Sequence, residues 1–509
     1  MWGFESPLAH DMKPFGRPIW VLGGVLALEV VVFVLGQHDF AAADPLWYAQ
    51  IGKTLADDPH SLFQLGDIHP FVMRLGLTVP LSVIYRVFGV SVLSTNVLSL
   101  VACLGTVLVV YAAAPTPRAK VIGCLMCAAC TPLMAQANML NVDLPSAAMM
   151  AASVLFLQRR WFVAAMCTWF AAFLIKETAL WCAPIWVFVV VQELRTDGRR
   201  LAAVAREFAP ALAVGIALTI GYLALCAWLW HDPLARFRGI DTAVGTVGDN
   251  PSYAGAWVVT TARMTWEVPA LLYKMFGLTL ALVAAGLWLA RGRDAIWAFA
   301  TATIILLYWF GSSQYSAYTP LPISIRLLVP VLPFALIIAA IAADTLLERT
   351  RPSWWRLAVT IAFAAVVALP ALRVTASALT RKRPETDAFA TLRDEVRADP
   401  ARRITLVCGE PKCTALAPFY FGLENPPNLQ VVYARDFAAA PLATGSRVRV
   451  LVNRPRASGI RRIDPTLDMT AAIDAASLPA IFKSTEVQLY DAGDGASVHA
   501  SLQAKAASP

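Results

Sequence analysis

The chain has 509 residues, of which 58% are hydrophobic and only 15% are charged, and its formal net charge is +8. A soluble globular protein carries about 25% charged residues, so this composition excludes an ordinary soluble domain. The net charge does not indicate a nucleic-acid partner, because the Lys and Arg residues lie mostly at the ends of apolar runs. The sequence therefore predicts a polytopic α-helical membrane protein.

The N-terminal segment combines the basic residues Lys13 and Arg17 with a following apolar run. A cleavable signal peptide is the alternative, but no small-residue cleavage site precedes the DPLWY stretch, which favours an uncleaved signal anchor. Later apolar runs also reach or approach the roughly 20 residues that cross a bilayer. Eleven transmembrane helices are predicted, at 20–35, 92–113, 121–137, 144–157, 161–175, 178–191, 208–230, 268–290, 295–310, 327–347 and 355–372.

The distribution of basic residues predicts the orientation, because cytoplasmic loops are enriched in Lys and Arg. With a cytoplasmic N-terminus, every second connection is basic and the outward loops are poor in positive charge. This parity requires that 69–88, with Arg74 and Arg86, lies in the membrane interface within an outer loop at 37–91. The basic connections contain Arg118 and Lys120; Arg159 and Arg160; Arg195, Arg199, Arg200 and Arg206; Arg291 and Arg293; and Arg349, Arg351 and Arg356.

The character of the chain changes after residue 375. Residues 376–384 are predicted to be a linker, and 385–509 a small α/β domain on the periplasmic side of the bacterial inner membrane. A helical pattern there is followed by β-branched runs at 404–407, 430–433 and 448–452. No glycine-rich nucleotide-binding motif is visible in this part of the sequence.

Nine cysteines occur, and seven of them lie in predicted spans. Cys124, Cys127 and Cys130 have a spacing like that of metal ligands, but they lie in an apolar helix and are predicted to be buried small side chains. Cys408 and Cys413 lie in the C-terminal domain, where an oxidising compartment permits a disulfide. The spacing alone leaves that pairing open.

Several ionisable residues fall at the outer ends of predicted spans. Such residues are costly at membrane depth and are usually functional. Each has a simpler interpretation, because a carboxylate before a helix can be a plain N-cap and a Lys at a helix end can reach the headgroups. Their accumulation on one face favours a site. They are Asp44 in DPLWY, His69 in IHP, Asp143 in NVDLP, the adjacent pair Lys176 and Glu177, and Arg326, which follows Tyr315 and Tyr318.

The order of these features resembles the polytopic GT-C glycosyltransferases, especially the group with the lipid A aminoarabinose transferases, rhizobial core-sugar transferases and protein O-mannosyltransferases. The resemblance covers about residues 15–375 and rests on the motifs DPLWYAQIGKTLA, IHP, NVDLP, FLIKETALW and SIRLLVPVLPF. Three positions depart from the family pattern. Pro45 replaces a second acid, Phe71 a second proline and Leu327 a tyrosine, which bears on the subfamily and acceptor more than on the class.

The resemblance implies transfer of a sugar from a polyprenyl-phosphate donor to lipid A, another envelope glycan or a protein, on the periplasmic face and with inversion. The leaving phosphate needs cations, and a hydroxyl acceptor needs a base. Neither a metal nor another cofactor is predicted. The predicted roles are general base for Asp44, substrate orientation for Asp143, phosphate binding for Lys176, Arg326 and His69, and support from Tyr48, Tyr315, Tyr318 and Glu177, the last by holding Lys176.

Three other kinds of membrane protein are alternatives to this one. A transporter or flippase would place paired charges at mid-membrane in repeated halves, whereas no internal repeat is visible and the charges lie at span ends. Another envelope glycan polymerase or ligase also uses Arg and His in outer loops and stays open. A phosphoethanolamine-type transferase would need a metal-binding set in its soluble domain, where His499 is the only histidine.

Overall fold

The computed structural model describes the chain in segments between Gly16 and Asp494. They are residues 16–36, 43–61, 71–196, 200–248, 261–312, 314, 316, 318–349, 384–408, 417, 420–421, 426–433, 445–453, 480–483 and 487–494. The chain divides into two compact units. The first comprises 1–36, 58–81 and 96–380, and the second comprises 37–57, 82–95 and 381–509.

Helices dominate the described part of the chain up to residue 349, and several are followed directly by a Gly or a charged residue. Short 3-10 segments at Glu177–Cys182, Gly292–Asp294 and Val329–Val331, and a π-helix at Arg263–Glu267, interrupt the helical regions. The described α-helices are α1 Gly16–Leu35, α2 Ala43–Asp57, α3 Leu75–Phe88, α4 Val92–Ala113, α5 Pro117–Ala129, α6 Thr131–Ala137, α7 Asp143–Gln158, α8 Phe162–Ile175, α9 Ala183–Thr196, α10 Leu201–Trp230, α11 Ala235–Gly248, α12 Val268–Phe276, α13 Thr279–Leu289, α14 Ala295–Phe310, α15 Ile325–Leu328, α16 Leu332–Arg349 and α17 Pro384–Ala398.

The polytopic helical class is confirmed, although the number of spans stays a prediction. Five helical stretches among the described residues are long and apolar enough to cross a membrane, or up to seven if two bent pairs each count as one span. The predicted span at 355–372 lies outside the described residues. The five stretches are Pro18–Leu35, Val92–Ala113, Glu177–Arg195, Leu201–Trp230 and Ile325–Arg349.

Two predicted spans are bent by local chemistry. The span at 121–137 consists of α5 and α6, which meet at 63°. Pro132 lies in the first turn of α6, where its fixed φ and missing N–H suit a helix start and not a helix interior. The span at 268–290 is bent by 109°. Its break is at Gly277, which has φ 54°, a left-handed conformation that favours glycine.

Helix α16 lies at the centre of the first unit. All its residues from Leu332 to Asp344 are buried, as expected for a helix that is apolar on every side. Helix α13 packs against it closely, because a Cβ added at Gly286 would lie 2.4 Å from the carbonyl oxygen of Ile338. At its other end, Asp344 accepts a hydrogen bond from the Thr116 hydroxyl at 2.6 Å. The packing and this bond fix α16 against α5 and α13.

Helix α3 corresponds to the predicted interfacial segment. Leu77, Leu81 and Tyr85 are buried along one side, whereas Val79 and Val83 are exposed on the other. This 14-residue helix is too short to span a bilayer of about 30 Å at 1.5 Å per residue. The structure therefore gives it the length expected of an interfacial helix, and its location in a membrane stays a prediction.

In the second unit, α2 and the end of α3 are joined by a side chain. Arg86 donates to the carbonyl oxygens of Ala56, at 2.8 Å, and Leu55, at 3.4 Å. These are carbonyls of the last turn of α2, which have no partner within the helix and favour a positive charge.

The described strands of the C-terminal part form one sheet in the order β2-β1-β3-β5-β4. The first three strands are parallel, and the last two are antiparallel. Cys408 ends β1 and is disulfide-bonded, whereas Cys413 lies outside the described residues. The strands are β1 Ile404–Cys408, β2 Leu429–Tyr433, β3 Arg447–Asn453, β4 Ala480–Lys483 and β5 Val487–Asp494.

Candidate active site

Asp143 is the first residue of α7 and is fully buried. The helix is capped by Asn141, whose side-chain oxygen accepts from the backbone N–H of Asp143 at 2.8 Å. The segment before it is held by Asn96, which accepts from the Leu140 N–H at 2.8 Å. The carboxylate of Asp143 is therefore not used as the N-cap, and it is available for other partners.

Lys176 lies where the helical path breaks. Helix α8 ends at Ile175, and Lys176 is extended, with φ −151° and ψ 141°, before the 3-10 segment begins. Its ammonium group donates to Oδ1 of Asp143. Because Lys176 is 5% exposed, its side chain does not extend out to solvent, as a snorkelling helix end would.

Arg326 supplies the second partner of Asp143. It lies in the short helix α15, and its Nε donates to Oδ2 of Asp143 at 2.9 Å. Both predicted phosphate-binding cations thus meet one carboxylate. The Arg326 side chain stays 28% exposed, while that of Lys176 is 6% exposed. Arg326 is the part of this trio that a ligand can reach most directly.

Glu177 faces a second pair of cations. Its Oε1 accepts from Arg74 Nη2 at 3.1 Å, and its Oε2 lies 3.5 Å from Arg236 Nη2. The sequence predicted that Glu177 would hold Lys176. In the structure Lys176 makes its hydrogen bond to Asp143 and stays an electrostatic neighbour of Glu177, because successive side chains of extended backbone point to opposite sides.

Arg74 reaches Glu177 because α3 begins close to the end of α8. A Cβ added at Gly76 would lie 2.8 Å from the backbone nitrogen of Ile175 and 2.9 Å from the carbonyl carbon of Leu174. Only glycine permits this approach of one turn to another backbone. This contact places Arg74, two positions before Gly76, next to Glu177, two positions after Ile175.

Arg236 is buried without its expected hydrogen bonds. It is 1% exposed and stacks over the Phe173 ring at 4.5 Å. Among the described residues, no acceptor meets hydrogen-bond geometry with its Nε, Nη1 or Nη2. The hydroxyl of Tyr222 approaches it, but it also lacks a hydrogen-bond partner by that geometry. A buried guanidinium in this state is costly, so the arrangement favours a bound anion.

The two neighbouring groups bring several cations close together. The described groups contain two carboxylates, and four cations pair with them. Four cations gathered around two carboxylates in a largely buried setting form an electrostatic site suited to an anion such as phosphate. The residues are Asp143 with Lys176 and Arg326, and Glu177 with Arg74 and Arg236, called the cation cluster below.

The other predicted site residues lie in other parts of the chain. Asp44 and Tyr48 lie in α2, which is part of the second unit. Asp44 is in the first turn of that helix and is half-buried, and Tyr48 is fully buried. Tyr318 is 55% exposed. His69 and Tyr315 lie outside the described residues.

Sequence reasoning missed two of the four cations. Arg74 was used only as an argument against a membrane crossing, and Arg236 was not singled out. Arg236 and Arg238 lie two residues apart in HDPLARFRG, and nothing in that pattern shows that one is buried and the other is 70% exposed. Within the described part of the chain, no group of three or more His, Cys, Asp or Glu side chains is arranged to hold a metal ion.

This chain resembles known proteins in its fold and not in its sequence. No family profile matches the sequence, and no curated protein sequence is similar to it. The apo crystal structure of ArnT from Cupriavidus metallidurans matches with TM-score 0.55 and 16% identity, over 92% of this chain and 97% of that one. ArnT from the same organism bound to undecaprenyl phosphate matches with TM-score 0.53 and 15% identity, over 93% and 97%. The resemblance to the GT-C transferases is thereby confirmed at the level of the fold.

Proposed function

We propose that this chain is a membrane glycosyltransferase that moves a sugar from a polyprenyl-phosphate donor to a lipid, glycan or protein acceptor outside the cytoplasm. The observation that carries the proposal is the cation cluster, in which the buried guanidinium of Arg236 pairs with Glu177 at 3.5 Å but makes no hydrogen bond among the described residues. Support also comes from the fold, since one of the similar ArnT structures is bound to undecaprenyl phosphate.

The cluster suits the chemistry of a leaving phosphate. Glycosyl transfer from a polyprenyl phosphate breaks the bond between the anomeric carbon and a phosphate oxygen, and negative charge grows on that oxygen. Arg guanidinium groups match phosphate oxygens in a bidentate manner, and Lys acts as a point charge. We assign phosphate binding to Arg236, Arg326 and Lys176, with His69 as a further cation.

The two carboxylates then have a supporting role. Both oxygens of Asp143 are engaged, one by Lys176 and one by Arg326. We propose that Asp143 orients these cations and, through them, the donor, and that Glu177 does the same for Arg74 and Arg236. Without the carboxylates, four neighbouring cations would repel one another and lose their positions.

The acceptor needs a different group. A hydroxyl nucleophile must lose its proton, and a carboxylate at the membrane surface can accept it. We assign this role to Asp44, with Tyr48 and the tyrosines at 315 and 318 as supporting residues, on the basis of the DPLWY motif. Direct attack on the anomeric carbon would invert its configuration.

The proposed orientation has a cytoplasmic N-terminus and a periplasmic C-terminal domain. Reporter fusions after Arg200, Arg293 and Arg351 should therefore read as cytoplasmic, because these connections are rich in positive charge. Fusions near Asp249 and Gly445 should read as external. An external signal after Arg200 would contradict this orientation.

The proposed function is tested by the reaction itself. The purified chain in liposomes should release free polyprenyl phosphate from a polyprenyl-phosphate sugar when an acceptor lipid is present. If the folded protein releases no polyprenyl phosphate from such donors, the proposal is contradicted.

A further inference from the structure

Arg263 is a buried cation outside the cluster. It opens the π-helix Arg263–Glu267 and is 1% exposed. A π-helix is rare and often occurs at functional sites, because its extra residue re-aims the side chains that follow. The partners of Arg263 show what its side chain does here.

Its guanidinium binds backbone carbonyls of two separate segments. Nη1 donates to the carbonyl oxygen of Leu321, and Nη2 lies 3.4 Å from that of Tyr308 and 3.5 Å from that of Trp309. In return, the Trp309 indole N–H donates to the carbonyl oxygen of Arg263 at 3.0 Å. Arg263 therefore joins the π-helix, the end of α14 and the segment after residue 320.

Tyr308 binds the segment after residue 320 at positions that follow the Arg263 contact at Leu321. Its hydroxyl donates to the carbonyl oxygen of Pro322 at 2.9 Å, and it accepts from the backbone N–H of Ser324 at 3.1 Å. Ser324 is the residue before α15. The Tyr308 side chain is fully buried, so these bonds are shielded from competing water.

The segment 321–324 carries no regular structure of its own and leads directly into Arg326. Its path is fixed by these side chains and by packing of Leu321 against Gly311, where an added Cβ would lie 3.5 Å from Leu321 Cδ1. Arg326 then meets Asp143 at 2.9 Å. An irregular segment holds a side chain in place only as well as its own anchors do.

We propose that Arg263 and Tyr308 are positioning residues, which fix the segment 321–324 and thereby set where Arg326 meets the donor phosphate. This inference rests on the proposed function, because it takes Arg326 as a phosphate-binding cation. It adds two residues that act through Arg326 and do not touch the donor themselves.

The test is a double-mutant cycle on binding of undecaprenyl phosphate to the full-length protein. Tyr308→Phe removes the hydroxyl and keeps the ring, and we expect it to raise Kd by about 5- to 20-fold because two buried hydrogen bonds are lost. Arg326→Gln should raise Kd by about 30-fold or more, as expected for loss of a partly buried charge contact. The double variant should bind within about twofold of Arg326→Gln alone, since residues in one network are not additive.

Two further variants separate positioning from general destabilisation. Tyr273→Phe is the matched control, because Tyr273 lies in α12, the helix that follows the π-helix, and is 61% exposed, so this variant should bind with the wild-type Kd. Arg263→Lys keeps the charge but cannot reach three carbonyls, so it should behave like Tyr308→Phe. Thermal unfolding of each variant reports its stability independently of donor binding.

The following results would contradict the positioning role or the proposed function. If Tyr308→Phe and Arg263→Lys bind as the wild type does, or if their effects multiply with that of Arg326→Gln, the positioning role is refuted while the transferase proposal stands. An unchanged Kd in Arg326→Gln also refutes it, because there is then no cation to position. If the wild type neither binds the lipid nor transfers sugar, the proposed function fails together with the inference.

Discussion

Replacing Arg236 by Gln should weaken binding of a polyprenyl phosphate by about 30-fold or more, because truncating one partner of a buried charge pair costs about 2–5 kcal/mol. Arg236 is 1% exposed, and its guanidinium forms an ion pair with Glu177 at 3.5 Å but no hydrogen bond of good geometry among the described residues. A phosphate would supply the acceptors for such bonds. The variant removes both the donors and the charge that meet the phosphate.

The chain offers a matched control two residues away. Arg238 lies on the same helix, carries the same charge and pairs with Asp232 at 3.2 Å, but its side chain is 70% exposed. Arg238→Gln should leave the Kd within about twofold of the wild-type value, since exposed ion pairs contribute little. Lipid binding to each purified variant, with a thermal unfolding curve, measures both effects. Equal binding by both variants would remove Arg236 from the donor site.

Replacing Asp44 by Asn should lower the transfer rate to a hydroxyl acceptor by about 10²- to 10⁴-fold, the usual contribution of a general base. Asn keeps the size of the side chain but does not accept a proton at neutral pH. Asp44 lies in the first turn of α2, so the loss of its charge should cost about 0.3–1 kcal/mol of helix stability. Donor binding should change little.

The control for Asp44 lies at the other end of the same helix. Asp57 pairs with Lys53 in an exposed i,i+4 contact, and Asp57→Asn should leave transfer unchanged. Single-turnover rates with saturating donor separate the chemical step from binding. A folded Asp44→Asn variant with near-normal rates on a hydroxyl acceptor would exclude the base assignment. An acceptor that attacks through an ionised phosphate needs no base. The assay of Asp44→Asn must therefore use an acceptor that attacks through a hydroxyl group.

The sequence predicted four members of the cation cluster, Asp143, Lys176, Glu177 and Arg326, and the reason is physical. Asp143, Lys176 and Arg326 are charged residues next to long apolar runs, and such a position needs a partner or a function. Their mutual contacts were not predicted, because residues 33 and 183 positions apart pair only once the helices have packed. Arg74 and Arg236 were missed for the same reason, since Glu177 brings them together across the fold.

Hydropathy predicted the helical class and the positions of apolar helices, but not how these helices bend. Apolar runs indicate helices, and α4 begins and ends at the predicted residues. Bends were not predicted, since the breaks at Cys130 and Gly277 depend on a single proline and a single glycine inside long apolar runs. The hydrogen bonds of the buried Arg263 side chain were not predicted either, because its partners are backbone carbonyls, which no sequence pattern records.

The most direct measurement of the central claim follows the fate of the donor. The purified chain is placed in liposomes with an acceptor lipid extract and a radiolabelled sugar on undecaprenyl phosphate. The account predicts that the sugar moves to the acceptor and that free undecaprenyl phosphate appears in equal amount, at similar rates in the wild type and Arg238→Gln but much more slowly in Arg236→Gln when the donor is below saturation. If the label moves only from a nucleotide sugar, or if Arg236→Gln transfers at the wild-type rate, the account is contradicted.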